Sequence, residues 1–171
     1  IRVGTKPRKS IIFHAKPEEP RFLDQTIPSN SWAFAERFKA TCPPDMVFAE
    51  KYGRLARHFD SGDLLAKADS EDVPAHSSQV GAKSVTVVAM QLIKRFRVLR
   101  YRSHSGRMPP SVMLSCLALE AARPGRSVGE ALDEIAQHIE RRLRAAHENG
   151  ELIDVRNPED NEDRFTDRWP S

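Results

Sequence analysis

The sequence predicts a mainly α-helical protein with a short strand-like and irregular start. Three observations carry that expectation. Val85, Val88, Ala89, Leu92, Ile93, Phe96 and Leu99 recur at i, i+3, i+4 and i+7 spacing through residues 83–100, the pattern of a helix with one apolar face. Ser127 followed by Glu130 is a capping box, and Gly150 is a left-handed stop. Between them a helix over 127–149 carries Val128, Leu132, Ile135, Ile139 and Leu143 on one stripe. Only one run, Ser10–Ala15 (SIIFHA), reads as a strand.

The other elements follow in order. Residues 1–30 are rich in Pro, Lys and Glu, and the stretches around Pro17–Pro20 and Ile27–Pro28 read as irregular. Trp32, Ala35 and Phe38 recur at helical spacing and predict a short helix over 31–40; Pro43 and Pro44 end it. A second helix is expected over 45–59, with Val47, Phe48, Tyr52, Leu55 and Phe59 on one side and Gly53 as a weak point. Residues 60–82 mix Asp, Ser, Gly and Pro and read as a connector with one helical turn at 63–67. Proline opens a further helix over 109–122, where a first turn tolerates it. The helices at 83–100, 109–122 and 127–149 are expected to share one core. Its expected buried residues are Val88, Leu92, Phe96, Leu114, Leu117, Leu132, Ile135 and Ile139.

The chain has 171 residues, 39% hydrophobic and 30% charged, with a net charge of +3. That length supports one domain with a real core. No run of 18 apolar residues occurs and nothing resembles a signal peptide, so the sequence predicts no membrane span and a cytoplasmic protein. Cys42 and Cys116 have no metal-ligand spacing and read as idle or buried thiols in a reducing compartment. The six histidines are scattered without an HExxH spacing, and no G-x-S-x-G elbow or Walker loop is present. Trp32 and Trp169 read as packing anchors, and the acidic tail PEDNEDRFTDR (158–168) as a solvated terminus, the lesser reading being a docking strip for a basic partner. The chain starts at Ile1 without a methionine and opens in mid-pattern. That fits a processed form, a fragment, or a chain whose first part lies elsewhere.

Charge placement is more telling than its sum. Residues 94–107 hold six lysines and arginines and no acid. Lys94 stands beside the apolar stripe of its helix, with Arg95 and Arg97 next to it. The helix expected at Pro109–Ser111 adds free backbone N–H groups, the positive end of its dipole, and the Ser111 hydroxyl. A lysine point charge facing such a helix start suits a polyphosphate. The same residues also suit a plain helix whose last turn is basic because the dipole prefers cations there.

Three segments, in order, are LIKRFR (Leu92–Arg97), PPSVMLSCLALEAA (Pro109–Ala122) and VRNPEDNEDRF (Val155–Phe165). IPSNSW (Ile27–Trp32) and TCP (Thr41–Pro43) precede them. Together they resemble the helical C-terminal half of the oligoadenylate synthetase and cyclic GMP-AMP synthase-like nucleotidyltransferases, whose bacterial members are the CD-NTases of antiphage defence. The resemblance covers roughly residues 27–169. It implies the helical lobe of a polymerase-β-like fold, residues 31–171, with residues 1–30 as a remnant or edge of the catalytic lobe.

The resemblance also implies an activity: joining nucleoside triphosphates into a cyclic or linear oligonucleotide signal. It assigns Lys94 to the triphosphate and Ser111 to the nucleotide pocket, with Arg95 and Arg97 as residues of the positive phosphate field. The position after Ser111 is often a base-stacking aromatic in the family; here it is Val112. Asn157–Pro158 is expected to close the helical subdomain. Such enzymes need carboxylates that hold two divalent ions, Mg2+, around the triphosphate and the attacking hydroxyl. No Gly-Ser loop with an Asp-x-Asp pair occurs in this sequence: Gly4–Thr5 is a faint piece, and Asp24 reads as a solvated turn residue. No catalytic residue and no metal ligand is therefore assigned within the chain. Alone it is expected to be inactive, with a second chain or missing segment supplying the carboxylates. The competing reading is a non-catalytic helical module that grips RNA or a protein through the 94–107 loop, Phe96 and Tyr101. A third is a scaffold that has lost its active site.

Overall fold

The computed structural model describes residues 2–3, 9–13, 26–61, 84–104, 106–167 and 169. Five helices dominate: α1 (Ser31–Thr41), α2 (Met46–Ser61), α3 (Val85–Tyr101), α4 (Ser111–Ala121) and α5 (Val128–Glu148). Strands β1 (Arg2–Val3), β2 (Ser10–Phe13) and β3 (Thr26–Ser29) form an antiparallel sheet in the order β1-β2-β3. A hairpin of β4 (Arg156–Asn157) and β5 (Asp160–Arg164) ends the described chain. The expected connector at 60–82, its turn at 63–67, and Gly4–Thr5, Pro17–Pro20 and Asp24 lie outside the described residues, except for the end of α2.

Local chemistry sets the helix ends. The Asn30 side chain accepts from Ala33 N at 3.2 Å and opens α1, and Asp45 does the same for α2 through Phe48 N at 2.9 Å. The capping box of α5 is formed in both directions. Ser127 Oγ accepts from Glu130 N at 3.3 Å, and Glu130 Oε2 accepts from Ser127 N at 2.8 Å. At the far end Gly150 takes φ 67°, which frees its N–H for His147 O at 3.0 Å while Glu151 N reaches Ala146 O at 2.9 Å. These two bonds make a Schellman motif, which only a residue tolerant of positive φ closes without strain.

The core is built around α4. From Met113 to Leu119 every residue is buried, as expected of a helix that is apolar all round and enclosed on all sides. One side of it packs with Ile153, Val155 and Phe165. The other packs Ala118 with Val85, Ala89 and Met90 of α3 and Ala131 and Ile135 of α5. Each large aliphatic side chain so enclosed stabilises the fold by about 1.5–3 kcal/mol.

Leu114, Leu117 and Ile135 are buried as the pattern requires, and Val88, Leu132 and Ile139 are half-buried. Leu92 and Phe96 are not in the core; both are exposed, as is Leu99. The apolar stripe of α3 is wider than the face that meets its neighbours. Contact runs through Val85, Ala89 and Ile93, and the row at 92, 96 and 99 lies to one side of that line. Ile27–Pro28 is also corrected: both residues belong to β3, paired with Ile12 and Ile11. Proline is tolerated there because β3 is an edge strand of its sheet. Trp32 is half exposed and does not anchor the core, whereas Trp169 packs against it.

The tail is no solvated terminus. Ile153, Val155 and Phe165 are buried, and Val155 N donates to Thr166 Oγ1 at 3.1 Å. Three of its acids are paired here: Asp154 with Arg156 and Arg164 at 2.8 Å each, and Asp160 and Glu162 with Lys9. The acidic composition hid a hairpin whose alternate residues face the core.

Candidate nucleotide site

The basic end of α3 and the start of α4 are tied by one bond. Arg97 Nη1 donates to Pro109 O at 2.7 Å, two residues before Ser111. Its Nε is buried and without a hydrogen-bond partner. Arg97 is thus held against the loop rather than free in solvent, and it brings the Lys94 turn of α3 to the head of α4. The 102–110 loop is fastened a second time, where Trp169 Nε1 donates to Arg107 O at 2.9 Å.

Lys94 is half-buried, and no described carboxylate or carbonyl meets its ammonium. Burial, reinforced by the Arg97 guanidinium, holds its pKa below the ordinary lysine range. A desolvated cation without a partner is poised for an anion. Arg95, by contrast, is exposed. At the head of α4, Pro110 supplies no side-chain cap and no acid stands in the first turn. The N–H groups of Ser111, Val112 and Met113 precede the first helical bond, Leu114 N to Pro110 O at 3.3 Å. The Ser111 side chain is exposed beside them.

Next to this head lies an open groove of about 440 Å³. Ile27, Pro28, Phe34, Val112 and Phe165 give it apolar walls, with Ser29, Ser31, Arg107 and Asp167 among its polar lining. Phe34 and Phe165 meet edge to face at 5.1 Å. The wall is held in place by a buried polar knot. Asp163 Oδ2 accepts from Asn30 N at 2.8 Å and from Asn157 Nδ2 at 2.9 Å. The same Asn157 amide donates to Asn30 O at 3.0 Å, and its Oδ1 accepts from Glu159 N at 3.0 Å. Asn157 therefore joins the β4–β5 hairpin to the cap of α1, a closing role and not a chemical one.

The divalent ions implied by the resemblance find no cradle here. Among the described residues no group of three or more His, Cys, Asp or Glu side chains is placed to hold a metal. Nor is any described helix long and apolar enough to cross a membrane.

No protein-family model matches the chain. A curated relative, the cyclic dinucleotide synthase CdnG of Bradyrhizobium diazoefficiens, is 42% identical over 169 residues, which is 99% of this chain and 40% of the relative. The solved structure of the Bradyrhizobium diazoefficiens CD-NTase CdnG in complex with GTP superposes with a TM-score of 0.78 and 41% identity, covering 99% of this chain and 48% of that one. The chain is similar to a CD-NTase over almost its whole length. It spans less than half the length of either protein it matches.

Within this chain, the sequence pattern puts Lys94 and Ser111 on the two elements that the structure joins. It missed the device that joins them: Arg97 was expected only as part of a positive field. It also missed the groove, whose walls come from β3, α1, α4 and the tail. The available signal was the order of the motif pieces, which contain Ile27, Pro28, Val112 and Phe165 of the wall but not Phe34.

Proposed function

We propose that this chain supplies the nucleotide-holding lobe of a nucleotidyltransferase that joins nucleoside triphosphates into a cyclic or linear oligonucleotide signal in antiphage defence. Residues 31–171 form that lobe, and residues 1–30 are the edge of the catalytic lobe. The observation that carries this reading is the half-buried Lys94 ammonium, which meets no carboxylate or carbonyl among the described residues, on a helix that Arg97 ties to the uncapped start of α4. In this arrangement Lys94 donates to the triphosphate, and the Ser111 hydroxyl and the first N–H groups of α4 donate to the next phosphate oxygens. Arg95 adds field from solvent, and Arg97 positions the loop. The base lies in the adjoining groove against Val112 and Phe34, packed rather than stacked on an aromatic at position 112.

Divalent ions, Mg2+, would supply charge for the attacking hydroxyl and the triphosphate and would be held by carboxylates of the catalytic lobe; the described residues of this chain offer no group of ligands for them. What it does provide is orientation of the triphosphate and a desolvated positive charge that gains strength away from water.

The test compares nucleoside triphosphate with monophosphate binding across salt. A built triphosphate site prefers the triphosphate and loses little affinity between low and moderate salt. A loop that grips RNA loses affinity steeply, because each neutralised phosphate releases a counterion. A steep salt slope with no triphosphate preference would overturn the proposal.

A further inference from the structure

A second, smaller cavity of about 220 Å³ opens between the loop that joins α1 to α2 and the loop that joins α4 to α5. It lies at the C-terminal end of α4, one helix length, about 16 Å, from the Ser111 end. Ser84 and Thr86 bring the start of α3 into its lining, and Pro43, Pro44 and Pro124 give it an apolar wall. Ser84 is the residue that singles this cavity out. It is only 7% exposed and stands at the N-cap of α3, where its side chain makes no capping hydrogen bond. Among the described residues its hydroxyl has no partner, whereas the nearby Thr86 hydroxyl is taken by the Cys42 thiol. The first helical bond of α3 is Val88 N to Ser84 O at 3.1 Å, so the N–H groups of Val85, Thr86 and Val87 find no acceptor within the helix. No acid stands in that first turn. A nearly buried hydroxyl beside an open helix start is an arrangement that one oxyanion satisfies at once.

We propose that this cavity binds a small monocarboxylate, its oxygens on the Ser84 hydroxyl and the first N–H groups of α3 and its apolar body against the prolines. One negative charge suits the positive end of the α3 dipole. Arg123, exposed at the rim with Nη1 donating to Ala122 O at 3.0 Å, adds field from solvent. Asp45 limits the charge the site accepts. It is the one acid among the described lining residues, with its Oδ1 accepting from Phe48 N at 2.9 Å, and it repels the second charge of a phosphate dianion. The volume falls below the roughly 300–1,000 Å³ of pockets for drug-sized ligands, too little for a nucleotide. Nothing in this inference depends on the nucleotide reading of Lys94 and Ser111.

Backbone amide NMR of the 171-residue chain tests this at neutral pH, with isobutyrate as the probe and its neutral isostere isobutyramide as the control. Saturable shifts are expected at the amides of Val85, Thr86 and Val87 with isobutyrate and not with isobutyramide. Ser84→Ala should weaken isobutyrate by about tenfold or more, the loss of one hydrogen bond to a charged group. Arg123→Gln should weaken it by about two- to threefold, since that guanidinium acts through solvent. Lys94→Ala should leave it unchanged. Non-saturating shifts at the three amides would refute the site, and equal binding of isobutyramide would reduce it to an apolar hollow without anion recognition. Tighter binding of inorganic phosphate than of isobutyrate would overturn the monocarboxylate assignment. A loss in Lys94→Ala with none in Ser84→Ala would place the carboxylate at the other helix start and sink the proposal. Thermal melting checks the variant itself. The Tm of Ser84→Ala is expected to stay within about 2 °C, because the hydroxyl removed has no partner among the described residues. A drop of more than about 5 °C would show that hydroxyl bonded within the chain and end the argument.

Discussion

Removing the Lys94 ammonium is the most direct test of the phosphate assignment. In Lys94→Ala the lost contact is a hydrogen bond from a charged donor, worth about 1.5–3 kcal/mol. The site argues for the upper half of that range: the ammonium is half-buried, and desolvation has already moved its pKa down. At about 1.4 kcal/mol per decade, triphosphate affinity should fall between about 40- and 150-fold. The stability of the unliganded chain should hold or rise slightly, because the substitution removes a desolvated charge without a partner. Equilibrium titration with a fluorescent nucleoside triphosphate reads the first quantity and thermal melting the second. Arg100→Ala and Arg102→Ala, both in solvent, should change affinity much less, since salt screens them. Equal, small losses at Lys94, Arg100 and Arg102 would refute the reasoning and indicate a diffuse polyanion surface.

Three further outcomes follow from the geometry. Because the Lys94 pKa lies below its ordinary 10.5, triphosphate affinity should be full at neutral pH and decline as pH rises through that lowered value. Lys94→Arg should flatten this pH profile, which titrations between pH 7 and 10 would reveal. Asn157→Ala should strip Asp163 of one of its two donors and Asn30 O of one of its two, leaving only Phe34 N on that carbonyl. The expected cost is about 1–3 kcal/mol, or a Tm loss of roughly 3–10 °C by calorimetry. Burial, with the Glu120 charge second, pushes the Cys116 thiol up to about 12, so a thiol reagent at pH 8 should leave it unmodified until the chain unfolds.

How much of this was legible in the sequence differs by element. The capping box at Ser127 and Glu130, the Gly150 stop and the buried run of α4 depend on residues within one or two turns, and there the local pattern determined the outcome. Lys94 and Ser111 were legible as residue types because a lone lysine beside a Pro-Pro-Ser helix start is chemically distinctive. Burial of one helix face against another is a different kind of fact. Leu92, Phe96 and Leu99 match the helical period as well as Ala89 and Ile93 do, and only the position of α4 and α5 decides which row is covered. The same holds for the tail. Its acids read as solvated until Lys9, Arg156 and Arg164 arrive to pair with Asp154, Asp160 and Glu162 and Ile153, Val155 and Phe165 turn inward. Arg97 reaching Pro109, and Asn157 reaching Asn30 across 127 residues, close contacts that no periodicity encodes. Period and capping are set by neighbours along the chain, whereas a groove is set by which distant segments the core draws together.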